Sequence, residues 1–167
     1  VFVSKAVVFE GPEDYHHRIN SNKLKIDENS ILIIRGCGPV GYPGSAEVVN
    51  MQPPDRLLKQ GINALPTLGD GRQSGTSESP SILNVSPESA IGGDLAIIKT
   101  GDKIKIDLNK RKVNLLISLT EFKKRRKKKK LPKLKNQTPW QEIARDTVGQ
   151  LEDGACIKSR GIYLDIA

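Results

Sequence analysis

Two glycine-rich segments are the parts of this sequence best suited to chemistry. The first spans 35–44 (RGCGPVGYPG) and the second spans 68–80 (LGDGRQSGTSESP). Glycine lets the backbone come close to a ligand and leaves N–H groups free to bind an anion such as a carboxylate or a phosphate. Each segment is equally compatible with a tight turn, and neither contains the GxxxxGK[ST] pattern of a nucleotide-binding loop. Two such loops in one small chain favour a ligand site without identifying the ligand.

Two side chains near these loops are candidates for specific roles. Glu47 follows the first loop at the predicted start of a helix, where the helix dipole favours a carboxylate. As a hard oxygen ligand it would suit Mg²⁺, although an ordinary first-turn Glu is the simpler interpretation. Ser74 lies in the second loop, where no companion His suggests a hydrolase triad. Asp70 and Arg72 could orient one another, orient a substrate or stabilise the loop.

The remaining ligand-type residues are poorly arranged for a metal site within this chain. Cys37 and Cys156 are the only cysteines, far apart and without a CxxC pair. His16 and His17 are adjacent on a predicted helix and therefore point in different directions, so we interpret them as surface or capping residues. So few cysteines favour a reducing compartment, and we expect a cytoplasmic protein. No apolar run reaches the length that spans a bilayer, and the first residues do not form a signal peptide.

The charge of the chain is concentrated in one place. The formal net charge is +8, and the eight consecutive basic residues from Lys123 to Lys130 account for all of it. A basic run can bind nucleic acid or another anion through phosphate attraction. This run lacks interleaved aromatic residues and a recognition motif, so a solvated helix end is the preferred interpretation.

The pattern of apolar residues predicts a β-rich α/β domain. Apolar runs at 6–9 and 31–34 predict strands on either side of a helix that begins at Pro12. Further helices are predicted at 46–49 and 53–60, with Gly61 as the C-terminal cap, and at Thr138, which has the spacing of a capping box. Additional strands are predicted at 82–85, 95–99, 103–108 and 113–118, which suggests a small barrel or sandwich.

Five motifs follow one another along the chain: AVVFEGPEDY at 6–15, the first glycine-rich segment, AEVV at 46–49, GDGRQSGT at 69–76 and VSPESAIGG at 85–93. In this order they resemble the carboxy-terminal domain of the dihydroxy-acid dehydratase/6-phosphogluconate dehydratase family. The resemblance covers most of 5–118 and resumes at 136–156. Within the family, Tyr42-Pro43-Gly44 and Gln73 are closest to the sugar-acid (pentonate or hexonate) branch.

The resemblance implies a fold and an activity. The expected fold is a swivelling β-barrel-like domain with flanking short helices. The family removes water from a 2,3-dihydroxy acid to give a 2-keto-3-deoxy acid, with an iron–sulfur cluster as Lewis acid and Mg²⁺ as a second electrophile. The cluster cysteines belong to an amino-terminal domain, so we expect this chain to be part of a longer protein and to be inactive alone. A homo-oligomer acting on a small sugar acid is expected.

The resemblance also implies roles for four residues. Glu47 matches a Glu that contributes to the Mg²⁺ site, and Ser74 matches the Ser whose alkoxide takes the proton from C2. Gly75 and Thr76 match the segment that lines the site of the substrate carboxylate. Two features depart from the family pattern: Glu78 stands where a small residue is expected, and the basic run replaces a segment that is usually less charged. The alternative is therefore a non-catalytic relative that serves as an interaction module.

The sequence predicts three segments. Residues 1–122 form the barrel-like dehydratase domain, and 123–135 form a basic segment. Residues 136–167 form a helix and tail that pack on the domain or on its missing partner.

Overall fold

The computed structural model describes residues 1–44, 47, 50–75 and 79–158, and within them six strands form one mixed sheet. Strands β1 to β4 are parallel to one another, whereas β5 is antiparallel to both β1 and β6. The sheet has the order β4-β3-β2-β1-β5-β6 and is curled into an open half-barrel. The strands are β1 (Phe2–Phe9), β2 (Ser30–Ile34), β3 (Thr67–Gly69), β4 (Ser81–Ile82), β5 (Lys103–Asp107) and β6 (Lys112–Leu115).

Short helices flank this sheet. Helices α3 and α4 begin at side-chain caps, because Ser118 Oγ accepts the N–H of Glu121 at 3.1 Å and Thr138 Oγ1 accepts the N–H of Gln141 at 3.3 Å. The α-helices are α1 (Pro12–Arg18), α2 (Asp55–Leu58), α3 (Leu119–Lys128) and α4 (Pro139–Thr147). Single 3₁₀ turns lie at Asn22–Leu24, Ser89–Ile91, Asp94–Ile97 and Leu151–Asp153.

The core consists of two apolar layers, one on each face of the sheet. All five residues of β2 are buried, and they alternate between the layers. Leu32 and Ile34 pack in the layer that contains Phe9, whereas Ile31 and Ile33 pack in the layer that contains Ile104 and Ile106. A strand that is covered on both faces needs a continuous apolar run, which is why 31–34 was recognisable in the sequence.

The β-rich α/β class, the strand–helix–strand start and the short flanking helices are confirmed. The strand predicted at 95–99 is wrong, because a 3₁₀ turn at Asp94–Ile97 replaces it. Arg35 Nη1 donates to the carbonyls of Leu95 (2.9 Å) and Ile98 (3.0 Å), which gives these two groups a partner outside a β-ladder. The strand predicted at 82–85 shrinks to β4, and Asn84 beyond it has a φ of 56°.

Helix α3 contains the first six of the eight residues of the basic run. Arg125 connects the helix to the turn before β5, because its guanidinium contacts the Asp102 carboxylate at 2.5 and 3.1 Å. It also contacts Glu121 of the same helix at 2.8 Å. Lys123 and Lys127, each two residues from Arg125, are exposed, as expected for a solvated helix. Helix α3 contains residues from both sides of the boundary predicted at 122. The division into three segments stays a prediction. No helix in the described ranges is long and apolar enough to cross a membrane.

Candidate functional site

The two glycine-rich loops meet at one edge of the sheet. The first loop follows β2 and the second follows β3, and the carboxyl ends of these neighbouring parallel strands lie together. The loops are in direct contact, because a Cβ atom at Gly71 would lie 2.5 Å from the Cβ of Cys37. Gly71 in the second loop is therefore required for the close approach of the first loop.

A buried carboxylate, that of Asp70, holds the start of the first loop. It accepts the backbone N–H groups of Gly36 (3.1 Å) and Cys37 (2.9 Å). It also accepts the backbone N–H of Ser89 at 2.8 Å and the Ser89 hydroxyl at 2.6 Å. Asp70 is fully buried, so these donors replace the water that its charge would otherwise require. Of the roles considered for Asp70, the structure supports loop stabilisation.

A second buried carboxylate, that of Glu88, holds the other end of the loop. It accepts the N–H groups of Val40 and Gly41, each at 2.8 Å, and the side-chain amide of Gln150 at 2.8 Å. Its own backbone N–H donates to Gln150 Oε1 at 3.0 Å. A Cβ atom at Gly38 would lie only 2.5 Å from Glu88 Oε2, so the loop wraps closely around this carboxylate.

These contacts change the interpretation of the first loop. Four of its backbone N–H groups bind carboxylates of the protein itself instead of being free for an external anion. Sequence reasoning did not identify Glu88. The available signal was one acidic residue within the otherwise small and apolar segment 85–93, since a buried carboxylate needs several donors nearby.

The second loop is paired with the segment that follows the first. Glu47 forms a parallel backbone bridge with Arg72, and a Cβ atom at Gly75 would lie 2.5 Å from the Asn50 side-chain amide. Tyr15 anchors the segment near residue 52, because its hydroxyl accepts the N–H of Gln52 at 2.8 Å and donates to the carbonyl of that residue at 3.0 Å. Glu47 and Asn50 therefore lie beside Arg72 and Gly75, respectively.

Three predicted site residues lie in these two paired segments. Glu47, Ser74 and Gly75 are all exposed. Glu47 forms the bridge to Arg72 and does not occupy the helical position that we expected. The rest of the predicted helix at 46–49 lies outside the described residues, as does Thr76. His16 and His17 are exposed at the end of α1, as the sequence interpretation proposed.

A family comparison identifies the domain that carries this arrangement. The sequence model described as "Dihydroxy-acid/6-phosphogluconate dehydratase C-terminal" matches residues 1–155. The chain belongs to this family. The matched region of this dehydratase-family domain includes both glycine-rich loops and the segment around Glu47.

Curated relatives include dehydratases for several acids. The D-xylonate dehydratase of Caulobacter vibrioides is 56% identical over 168 residues, covering 100% of this chain and 28% of that protein. The L-arabinonate dehydratase of Rhizobium leguminosarum is 46% identical over 75% of this chain and 22% of its own length. The dihydroxy-acid dehydratase of Thermodesulfovibrio yellowstonii is 43% identical over 80% of this chain and 24% of its length. The chain thus spans about a quarter of these relatives.

The dehydratase-family domain does not contain a complete metal site within its described residues. No group of three or more His, Cys, Asp or Glu side chains there could hold a metal ion. Glu47 offers one exposed carboxylate. Cys37 is buried, and burial, reinforced by the charge of Asp70, raises the pKa of its thiol, whereas Cys156 is exposed. A neutral buried thiol is a poor cluster ligand, so these residues do not fit an iron–sulfur cluster.

Gln73 is an unusual component of the dehydratase-family domain. It precedes Ser74, is only 7% exposed, and packs over the backbone of β3, since a Cβ atom at Gly69 would lie 2.9 Å from its Nε2. Both side-chain polar atoms, Nε2 and Oε1, lack a hydrogen-bond partner among the described residues. Leaving buried polar groups unpaired costs free energy, which sets Gln73 apart from the satisfied carboxylates nearby.

Proposed function

We propose that this chain is the carboxy-terminal portion of a hydro-lyase that converts a 2,3-dihydroxy sugar acid into a 2-keto-3-deoxy acid. The observation that supports this best is the backbone pairing of Glu47 with Arg72, two residues from Ser74. It supports the proposal because it joins the backbones of the two segments that contain the proposed metal ligand and the proposed base. The proposed substrate is a sugar acid, since D-xylonate and L-arabinonate dehydratases are among the relatives.

In the proposed reaction Ser74 is the base. Its Oγ, as alkoxide, takes the proton from C2, the electron pair of that C–H bond forms the C2=C3 double bond, and the C3 hydroxyl leaves with a proton as water. The resulting enol becomes the 2-keto acid by proton transfer to C3. A serine hydroxyl is a very weak base, so positive charge close to Oγ is necessary to stabilise the alkoxide.

The proposed cofactors are Mg²⁺ and an iron–sulfur cluster. When bound, they would supply the positive charge that acidifies the C2–H bond and assists departure of the C3 hydroxyl. Glu47 would contribute one oxygen ligand for Mg²⁺, and the cluster ligands would come from an amino-terminal domain. Gly75 and Thr76 would line the site of the substrate carboxylate. We further propose that the complete protein is a cytoplasmic homo-oligomer in which this domain swivels against the amino-terminal one.

Substitution of Ser74 tests the base assignment in a protein that includes the amino-terminal portion. Ser74→Ala should lower kcat by about a hundredfold or more and abolish solvent deuterium exchange at C2. Loss of one ordinary hydrogen bond, about 1 kcal/mol, would change the rate by less than about tenfold. The matched control is Ser79→Ala, which removes a hydroxyl from the same loop and should stay within tenfold. A Ser74→Ala enzyme as active as the unsubstituted enzyme would contradict the base assignment and leave Ser74 as a turn residue.

Substitution of Glu47 tests the proposed Mg²⁺ ligand separately. Glu47→Gln keeps the side-chain shape but removes the charge that a hard ion prefers, so the Mg²⁺ concentration for half-maximal activity should rise about tenfold or more. The unfolding midpoint in urea should be unchanged, because Glu47 is exposed. Glu28→Gln, another exposed carboxylate, serves as the control. An unaltered Mg²⁺ dependence would remove Glu47 from the metal site.

A further inference from the structure

Helix α4 exposes an apolar face. None of its residues is buried, and Trp140 and Ile143 are 77% and 51% exposed. Residues three apart lie on the same side of a helix, so the indole and the isoleucine form one patch. Trp140 is the only tryptophan in the chain. A large exposed aromatic beside an exposed aliphatic residue is the composition that protein interfaces favour at their centres.

Polar side chains fix this helix and its following turn to the first glycine-rich loop. Arg145 Nε donates to the carbonyl of Val40 at 2.9 Å, and Arg145 Nη1 donates to that of Lys135 at 2.8 Å. Just beyond the helix, Gln150 is bonded to Glu88 through both its amide nitrogen and its carbonyl oxygen. The helix is therefore held in place by hydrogen bonds, while its largest apolar side chains remain in solvent.

The length of the relatives indicates what could cover this face. The chain corresponds to 28% of the Caulobacter D-xylonate dehydratase and to 22% of the Rhizobium L-arabinonate dehydratase. About three quarters of such a protein would thus lie outside this chain. The patch is attached through Arg145 and Gln150 to the loop that contacts the Ser74 loop, so a partner that completes the site would pass close to it.

Charge argues against a second copy as the partner. The chain has a net charge of +8, and the basic residues of 123–135 immediately precede α4. Two copies that met through this face would bring like charges together, whereas a partner with acidic residues around an apolar centre would be attracted.

We propose that the Trp140–Ile143 face of α4 is the docking surface for the amino-terminal portion of the protein, which contacts it with an apolar centre and an acidic rim. This inference depends on the proposed function only in that such a portion exists. Because Arg145 and Gln150 connect α4 to Val40 and Glu88, docking at this face would also hold the first loop in place.

The single tryptophan makes the proposal directly testable. The chain labelled with 5-fluorotryptophan gives one ¹⁹F resonance, from Trp140. It is titrated with the part of the Caulobacter D-xylonate dehydratase that this chain does not match, and the measurement is repeated with the two joined in one polypeptide. We expect the resonance to move to a new position that saturates near one equivalent, and to occupy that position in the joined protein.

Matched variants locate the contact. Ile143→Asp should weaken the association at least tenfold, and Ile143→Ala should weaken it by a smaller factor. Leu108→Asp introduces the same charge at another exposed apolar residue, 58% exposed beyond β5, and should leave the titration unchanged. Circular dichroism confirms that each variant is folded.

Three results would overturn the proposal. These are a resonance that does not move in either sample, an equal effect of Ile143→Asp and Leu108→Asp, and a shift produced by concentrating the chain alone, which would identify a second copy as the occupant. The readout does not involve turnover. A chain with Ser74→Ala should therefore give the same shift, so failure of the base assignment and failure of the docking surface are distinguishable.

Discussion

The two glycine-rich loops follow neighbouring parallel strands and have similar compositions, yet they are used differently. In the first loop, backbone N–H groups bind the buried carboxylates of Asp70 and Glu88. In the second loop, Ser74 and Gly75 are exposed beside Glu47. A glycine-rich loop can thus wrap around a carboxylate of its own protein or leave its residues exposed to solvent, and composition alone does not distinguish the two.

The largest effect that separates the loops concerns folding stability. Asp70→Ala leaves several buried donors without an acceptor, each costing about 1–3 kcal/mol, so the free energy of unfolding should fall by about 4 kcal/mol. Ser74→Ala removes an exposed hydroxyl and should change it by less than about 0.5 kcal/mol. Urea unfolding followed by circular dichroism measures both. Similar losses in the two variants would contradict the division into a loop held by buried carboxylates and a loop with exposed side chains.

An intermediate effect concerns pH and Cys37, in the first loop. Burial raises the pKa of its thiol, so the folded state retains a proton that the unfolded state loses above about pH 8.5. The contribution to stability is complete below that pH and declines as the pH rises, which should cost about 1 kcal/mol between pH 8 and 9.5. Urea unfolding at the two pH values measures this loss.

The control variant for that experiment is Cys37→Ala, which should show a smaller decline over the same interval. Burial also raises the pKa of Tyr15, but its contribution declines only above about pH 10. In the native protein a thiol reagent should modify the exposed Cys156 and not Cys37. Rapid modification of both thiols would show that the first loop opens readily.

The smallest effect concerns Gln73, the buried residue beside Ser74 whose polar side-chain atoms have no hydrogen-bond partner in the described part of the chain. Gln73→Met has a similar shape and removes the unpaired amide, so it should raise the free energy of unfolding by up to about 1 kcal/mol. Gln150→Met is the control and should lower it, because Gln150 is bonded to Glu88. A destabilised Gln73→Met variant would indicate that the Gln73 amide has a partner in solution, such as an ordered water.

The sequence was most informative where a pattern depends on local physics. The apolar run at 31–34 and the capping residue Thr138 predicted a strand and a helix that the structure contains. The sequence does not predict strand β3, because its three residues, Thr67–Gly69, lie at the start of a polar, glycine-rich segment and pair only through long-range contacts. The apolar pattern at 95–99 predicts a strand where the structure has a 3₁₀ turn, because the partner of this turn, Arg35, is distant in sequence.

The same distinction applies to the candidate site. Ser74 and Glu47 were proposed through the family resemblance, and the bridge between Glu47 and Arg72 depends on a pairing of two irregular segments that no periodic pattern marks. The role of Glu88 depends on Val40 and Gly41, which precede it by 48 and 47 positions along the chain. Its hydrogen bonds could therefore not be predicted from neighbouring residues.

The open sheet has a consequence for how the domain behaves at high concentration. A half-barrel has two outer strands, and an outer strand can recruit strands of other molecules into aggregates. Here β4 has only two residues, too few to serve as a template, and β6 begins with Lys112 directly after Lys110 and Arg111. Like charges at that border repel an identical neighbour. The curled sheet can therefore remain open without exposing an edge strand that pairs readily with other molecules.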